Sequence, residues 1–288
     1  MKNQMSERVL VIGAGAMGGW FAAYFKKKRK YNVIVFDKDQ AKASKLARSL
    51  RISHVKRLDG ETLRNADLIL VSTPIEATPN ILENIARRVE GKGGVTVVEV
   101  TSVKSEVVKV AKRIVRKKRI TVVSVHPLFG PGVASLRGQS IIVTPIADGR
   151  KEVGIAEKLF PEAKLYVMNH REHDRTIAYT LSLMRLILIT ILKNWKPFME
   201  KPKTTSQKLL LLTASTLINE SPSLFTQIIK KNPYSREAAE QFIRDFNNVR
   251  SLDVKRLRRL YNRIRRDYEH VTRSYAGASK IAESLVIE

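Results

Sequence analysis

The chain has 288 residues, 43% of them hydrophobic, enough to bury a core and to divide into two domains. It has no cysteine, which excludes disulfides, thiolate metal sites and a cysteine nucleophile. Lysine and arginine number 53 against 27 for aspartate and glutamate, a formal +26, and a field of that sign draws anions of every size, from dicarboxylates and dinucleotides to nucleic acid. The positive residues are scattered over Lys26–Lys30, Arg87–Arg88, Lys112–Arg119 and Lys255–Arg266. That pattern reads as a general surface property, and nucleic acid is not the expected partner.

Met1 to Arg8 is polar and lacks the apolar centre of a signal peptide, so a cytoplasmic location is expected. Apolar runs rich in β-branched residues then predict strands at Val9–Ile12, Val33–Phe36, Leu68–Ser72, Val95–Val100, Ile120–Val125, Ser140–Thr144 and Lys164–Met168. Helical patterns lie between them at Ala16–Lys28, Gln40–Leu50, Glu76–Val89 and Ser105–Arg116. This alternation with short connections predicts a doubly wound α/β sheet of the Rossmann kind.

Beyond Met168 only helical patterns remain, at Asp174–Lys193, Ser206–Asn219, Ser223–Lys230, Arg236–Val249 and Val254–Ala276. The expected division is a dinucleotide-binding domain over residues 1–170 and an all-α domain over 171–288. Thr176–Leu192 is near the lower limit of length for spanning a membrane but carries Arg185 at its middle, so it reads as a buried helix and no membrane is expected. Because it is apolar on more than one face, a second subunit is expected to cover part of it.

Gly13-Ala14-Gly15-Ala16-Met17-Gly18 follows the first strand and opens a helix. Gly13 permits the turn, Gly15 lets the backbone approach a pyrophosphate, Gly18 allows close packing, and helix amides face the phosphates. Asp37 ends the next strand, 19 residues beyond Gly18, where it accepts hydrogen bonds from the adenosine ribose and disfavours a 2′-phosphate. NAD is therefore expected over NADP, with Lys38 tempering the preference, and no second signal supports FAD. Ser72, Thr73 and Pro74 after one strand, and Thr101 and Ser102 after the next, suit a nicotinamide pocket, although Ser72 and Thr73 also fit ordinary turn chemistry.

His126 ends the strand Ile120–Val125 and precedes the rigid loop Pro127–Gly132 at the same edge. A neutral imidazole there can take the proton released when an alcohol is oxidised; a structural histidine is the other reading. Thr101-Ser102-Val103-Lys104, followed by Ser124-Val125-His126-Pro127-Leu128-Phe129-Gly130-Pro131, resembles the paired motif of prephenate dehydrogenases. Glu172-His173-Asp174-Arg175 and Asn219–Phe225 resemble further landmarks of that family.

The resemblance implies a Rossmann domain joined to a helical dimerisation domain, and oxidative decarboxylation of prephenate to 4-hydroxyphenylpyruvate with NAD or NADP. It makes His126 the proton acceptor, Ser102 the group that orients it and the nicotinamide, and Lys104 a positive charge near the substrate. No metal is implied. His173 and Asp174 read as a helix-start and interdomain pair, and His54, His170 and His270 as surface residues.

Two positions depart from the family pattern. Arg185 stands where a histidine is usual, and Thr216 stands where an arginine usually holds the substrate carboxylate, a bidentate role that threonine cannot fill. Arg185 or Lys208 would then supply the missing charge; a charge satisfied within the helical core is the other reading of Arg185. Arogenate or another small carboxylate stays open as the substrate. So does a protein that binds NAD or nucleic acid without catalysis.

Overall fold

The computed structural model describes residues 7–89, 94–117, 120–198, 201–272 and 274–285. The first six residues, the end of the Lys112–Arg119 cluster and one position of the Val254–Ala276 helix lie outside the described residues.

The chain divides into two compact units, one of residues 1–177 with 230–233 and the other of residues 178–229 with 234–288. In chain order the first contains β1 (Arg8–Ile12), α1 (Ala16–Arg29), β2 (Asn32–Phe36), α2 (Gln40–Leu50), β3 (Ser53–His54), α3 (Gly60–Arg64), β4 (Leu68–Val71) and α4 (Thr78–Arg88). It continues with β5 (Thr96–Glu99), α5 (Ser105–Lys117), β6 (Thr121–Pro127), β7 (Ser140–Thr144), α6 (Gly149–Leu159), β8 (Lys164–Val167) and α7 (His170–Ile177). The strands form one eight-stranded sheet in the order β3-β2-β1-β4-β5-β6-β7-β8.

From β3 to β6 every pairing is parallel. β7 runs antiparallel to β6, and β8 lies parallel to β7. The departure from an all-parallel sheet has a local cause: no helix lies between Pro127 and Ser140 to carry the chain back across the sheet, so β7 returns beside β6. The two-residue β3, the five-residue α3 and α6 were not read from the sequence. The first two are too short for a periodic signal.

Alternation along the strands sends side chains into a core on each face. Leu10, Ile12, Ile69 and Val71 enter one, with Leu82, Ile85 and Ala111 of the helices; Val9, Val11, Leu68 and Leu70 enter the other, with Phe21, Phe25 and Phe160. The second core is rich in rings, and Tyr24 keeps its hydroxyl satisfied there by donating to the Leu159 carbonyl at 2.9 Å. Burying one such aromatic side chain contributes about 2 kcal/mol.

Register fixes the functional edge. Ile12 pairs with Val71, Val71 with Glu99, and Glu99 with Ser124. The residues just beyond them, including Gly13, Ser72, Thr101 and His126, therefore leave the sheet at one carboxyl edge, with the β1/β4 switch point among them.

The second unit is helical. A π-helical turn over Ala178–Ser182 leads into α8 (Leu183–Trp195), followed by α9 (Thr205–Ile218), α10 (Pro222–Lys231), α11 (Ser235–Arg250), α12 (Val254–Asp267), α13 (Glu269–Thr272) and α14 (Tyr275–Ser284). Thr204 caps α9 through a capping box with Gln207, and Asp253 caps α12 by accepting from the Arg256 amide. A small cluster of Leu188, Ala214 and Leu217, with Leu192, Leu210 and Phe225 against it, forms a core.

The continuous helix His170–Trp195 is long and apolar enough to cross a membrane by length and composition, and 28% of its most apolar window is buried. Among the described residues that helix is only partly enclosed. Tyr179, Met184 and Ile189 remain exposed, as do Phe242, Ile243 and Phe246 of α11.

Candidate active site

The glycine turn is built by close packing. Gly13 has φ +107°, and a Cβ there would lie 2.1 Å from the Ser72 carbonyl oxygen, while one on Gly18 would lie 1.8 Å from the Gly13 carbonyl oxygen. Gly15 differs: a Cβ there would meet no protein atom within 4 Å. It occupies the N-cap of α1 with no side-chain cap and no acidic residue in the first turn. An uncapped helix start beside open space is what a pyrophosphate requires, so these residues fit a dinucleotide.

Ala14 and Met17 are partly exposed and Ala16 is exposed. Asp37 is partly exposed beside the turn, accepting from the Ala14 amide at 2.7 Å and the Asp39 amide at 2.8 Å. Its carboxylate thus holds the glycine turn as well as standing where a ribose is expected. Ser72 and Thr73 are partly exposed and Pro74 exposed at the end of β4, with the Thr73 hydroxyl 2.9 Å from that of Thr78.

Thr101 is placed differently from the sequence expectation. It is 4% exposed, and its amide and hydroxyl donate to Glu99 Oε2 at 2.8 and 2.6 Å, so the hydroxyl faces inward rather than toward a nicotinamide. Ser102, next in the turn, is partly exposed.

His126, the last residue but one of β6, is 4% exposed. Its Nδ1 lies 2.9 Å from Nε2 of His173, whose Nδ1 lies 2.8 Å from Asp174 Oδ1, and both residues of α7 are fully buried. His173 and Asp174 thus lie near the start of α7 and hydrogen-bond to the first domain, with a contact to His126 that the sequence did not indicate. Asp174 also accepts from the amides of Lys104 and Ser105, each at 2.8 Å, and from the Ser105 hydroxyl. It therefore caps the start of α5 from a distant part of the chain.

The proton positions follow from the partners. Asp174 would be raised by burial, yet hydrogen bonds from His173, Ser105 and the Lys104 amide hold its carboxyl below the ordinary value, so it is an acceptor. Burial pushes His173 down, with the nearby Lys104 charge acting in the same direction and Asp174 opposing, so its ring is neutral. A neutral His173 that donates from Nδ1 to Asp174 accepts at Nε2, and His126 must then donate from Nδ1. The lone pair of His126 falls on Nε2.

Lys104 also lies elsewhere than the sequence reading expected. It is fully buried, with Nζ donating to Glu99 Oε1 and to the Val125 carbonyl, both at 2.7 Å, so its charge is committed inside the fold rather than offered to a substrate. Burial lowers its pKa, and Glu99 opposes the shift. Ser124 donates its hydroxyl to the same Glu99 oxygen. Glu99, a buried carboxylate at a strand end, was missed by sequence reasoning, and the signal was available in its being the sole acidic residue of an otherwise apolar run.

The other expected substrate cations belong to the helical unit. Arg185 is 6% exposed, forks onto both carboxylate oxygens of Glu220, and donates to the Leu181 carbonyl at 3.1 Å. Lys208 Nζ lies 3.4 Å from the Ala282 carbonyl oxygen, and Thr216 is exposed with its hydroxyl on the Thr213 carbonyl. Of the remaining histidines, His54 and His170 are half-buried and His270 is exposed. No group of three or more metal-ligating side chains able to hold an ion occurs among the described residues.

Residues 21–168 match the family model for the nucleotide-binding domain of prephenate dehydrogenase. The chain belongs to the prephenate dehydrogenase family. Among curated relatives, it is 27% identical over 260 residues to a protein of Methanocaldococcus jannaschii named a probable arogenate/prephenate dehydrogenase, covering 86% of this chain and 57% of that one. It is 22% identical over 264 residues to the prephenate dehydrogenase of Lactococcus lactis, covering 87% and 72%. The chain thus spans little more than half the length of the first of these relatives.

Among solved structures, prephenate dehydrogenase from A. aeolicus, in complex with hydroxyphenyl propionate and NAD+, superposes with a TM-score of 0.71 at 18% identity, covering 95% of this chain and 99% of that one. Synechocystis arogenate dehydrogenase gives 0.67 at 17% identity, covering 92% and 99%. At these identities the likeness carries the fold. Within the family fold, this chain's imidazole pair and buried Glu99–Lys104 pair meet at the sheet's carboxyl edge.

Proposed function

We propose that this protein is an NAD-dependent prephenate dehydrogenase, and the observation that carries the reading is the chain Asp174–His173–His126, which leaves a lone pair on His126 Nε2. The glycine turn and the uncapped start of α1 would hold the pyrophosphate, Asp37 would face the ribose, and Ser72, Thr73 and Pro74 would border the nicotinamide. Bound there, NAD supplies the hydride acceptor.

His126 takes the proton of the ring hydroxyl as the carbon bearing it is oxidised, and Ser102 orients the reacting groups. Positive charge gained by His126 is shared with His173 and balanced by Asp174, so the base strengthens as the proton arrives. Loss of carbon dioxide follows as the ring becomes aromatic. Asp37 disfavours a 2′-phosphate, so NAD binds ahead of NADP.

The helical unit serves as a dimerisation surface, since Met184 and Ile189 of α8 and Phe242, Ile243 and Phe246 of α11 are exposed apolar side chains that a second copy would cover. The enzyme acts in the cytoplasm without a metal.

Incubation of the purified chain with NAD and either prephenate or arogenate, followed at the NADH absorbance, tests the activity. Faster turnover of prephenate is expected. A larger kcat/KM with arogenate reassigns the substrate, and no absorbance rise with either at millimolar concentration, with NAD binding demonstrated, removes the activity.

A further inference from the structure

Lys104 touches the histidine pair's support at both ends. Its Nζ donates at 2.7 Å to the carbonyl of Val125, the residue before His126. Its backbone amide donates at 2.8 Å to Asp174 Oδ1, the oxygen that also faces His173 Nδ1. Glu99 fixes the ammonium at 2.7 Å while gathering the Thr101 amide and hydroxyl and the Ser124 hydroxyl, so the ends of β5 and β6 are tied through one carboxylate.

Volume alone does not explain this arrangement. Both side chains are fully buried, and a buried ion pair is commonly replaced by apolar residues of similar size without loss of stability. What a hydrocarbon cannot supply is a donor to the Val125 carbonyl and a fixed positive charge beside the two imidazoles.

Resting on the reading of His126 as the base, we propose that the buried Glu99–Lys104 pair positions the His126–His173 contact, acting through the Val125 carbonyl on one side and the Asp174 carboxylate on the other. Lys104 is a positioning residue, because the contacts of its side chain are Glu99 and a backbone carbonyl. The charged and titratable groups around His173 are His126 from β6, Asp174 on its own helix, and Lys104 and Glu99 from the end of β5 and the turn after it.

Three variants of the full chain test this: Lys104→Met, the double variant Glu99→Gln/Lys104→Met, and Glu99→Asp, which keeps the charge and draws the ammonium back by one methylene. Thermal melting and NAD affinity report folding and the cofactor site. Long-range proton–nitrogen NMR of the histidine rings reports tautomer and titration without substrate, and kcat is measured on whichever substrate the wild type oxidises.

In the double variant, kcat is expected to fall roughly 100-fold with NAD affinity and KM within about three-fold, because a small misplacement of a base is costly in rate. Glu99→Asp is expected to lose about ten-fold by the same cause. In Lys104→Met the His173 titration and the acid limb of kcat move to higher pH. A double variant with kcat and histidine spectra like the wild type overturns the proposal, as does an unchanged Glu99→Asp should the double variant fail to fold. If the wild type oxidises neither substrate, the functional reading has failed, and the spectra of the variants still decide: unaltered histidine tautomers and titrations reject the positioning role, altered ones support it.

Discussion

His126 Nδ1 and His173 Nε2 lie 2.9 Å apart, so one ring must donate to the other, and Asp174 on the far side of His173 decides which. With Asp174 as acceptor, the direction of donation runs from His126 to His173. This places the basic nitrogen of His126 away from the buried pair.

His126→Asn is expected to lower kcat roughly 1,000-fold, the usual range for loss of a positioned base, with the NAD dissociation constant unchanged. Asp174→Asn removes the carboxylate that sets the His173 tautomer and is expected to cost about 100-fold. Steady-state kinetics beside calorimetric NAD titration would check both. A near-normal rate in the His126→Asn variant would show that the base lies elsewhere.

Two glycines of the turn are expected to respond oppositely. Gly18→Ala forces a Cβ to within 1.8 Å of a backbone oxygen and should lower folding stability by about 2 kcal/mol. Gly15→Ala has open space in the protein, so its melting temperature should match the wild type while NAD affinity drops about ten-fold or more. Equal melting losses in the two variants, or full NAD affinity in Gly15→Ala, would contradict this assignment.

Stability should decline on acidification in two stages. The unfolded chain protonates His173 near pH 6.5 while burial keeps the folded ring neutral, so stability is lost as pH falls below about 6.5. His170, lowered by partial burial and by Lys112, adds to the same stage. Asp174, whose folded value is depressed, contributes fully above about pH 4, and this contribution is lost as pH falls through its folded pKa. Urea midpoints measured from pH 7.5 to 3.5 would show both stages, and His173→Gln should flatten the first. A midpoint constant between pH 7 and 5 in the wild type would refute the first stage.

Arg185 and Glu220 make a partly buried pair, with side chains 8% and 23% exposed. Arg185→Met leaves Glu220 unpaired and should destabilise the protein by about 2 kcal/mol, less than a fully enclosed pair would lose, while Arg185→Met/Glu220→Gln recovers most of that. Chemical denaturation of the three proteins measures it. A rise in the substrate KM of Arg185→Met with no change in stability would instead make the guanidinium a substrate ligand.

The sequence by itself determined the main strand–helix alternation of the first unit, the glycine turn, Asp37 just after β2, and the position of His126 near the end of β6. These are written in local spacing: strand alternation, glycines at fixed intervals and a polar residue following an apolar run. Tertiary structure alone decided that His173 would meet His126 across 47 residues of sequence, that Asp174 would cap α5, and that Lys104 would turn inward onto Glu99. A polar side chain's partner and burial depend on sheet register and on where α7 packs, and no local pattern encodes either. The long apolar helix was legible as a helix that one chain would not fully enclose, yet which of its residues stay exposed was not, because enclosure depends on the surfaces surrounding it.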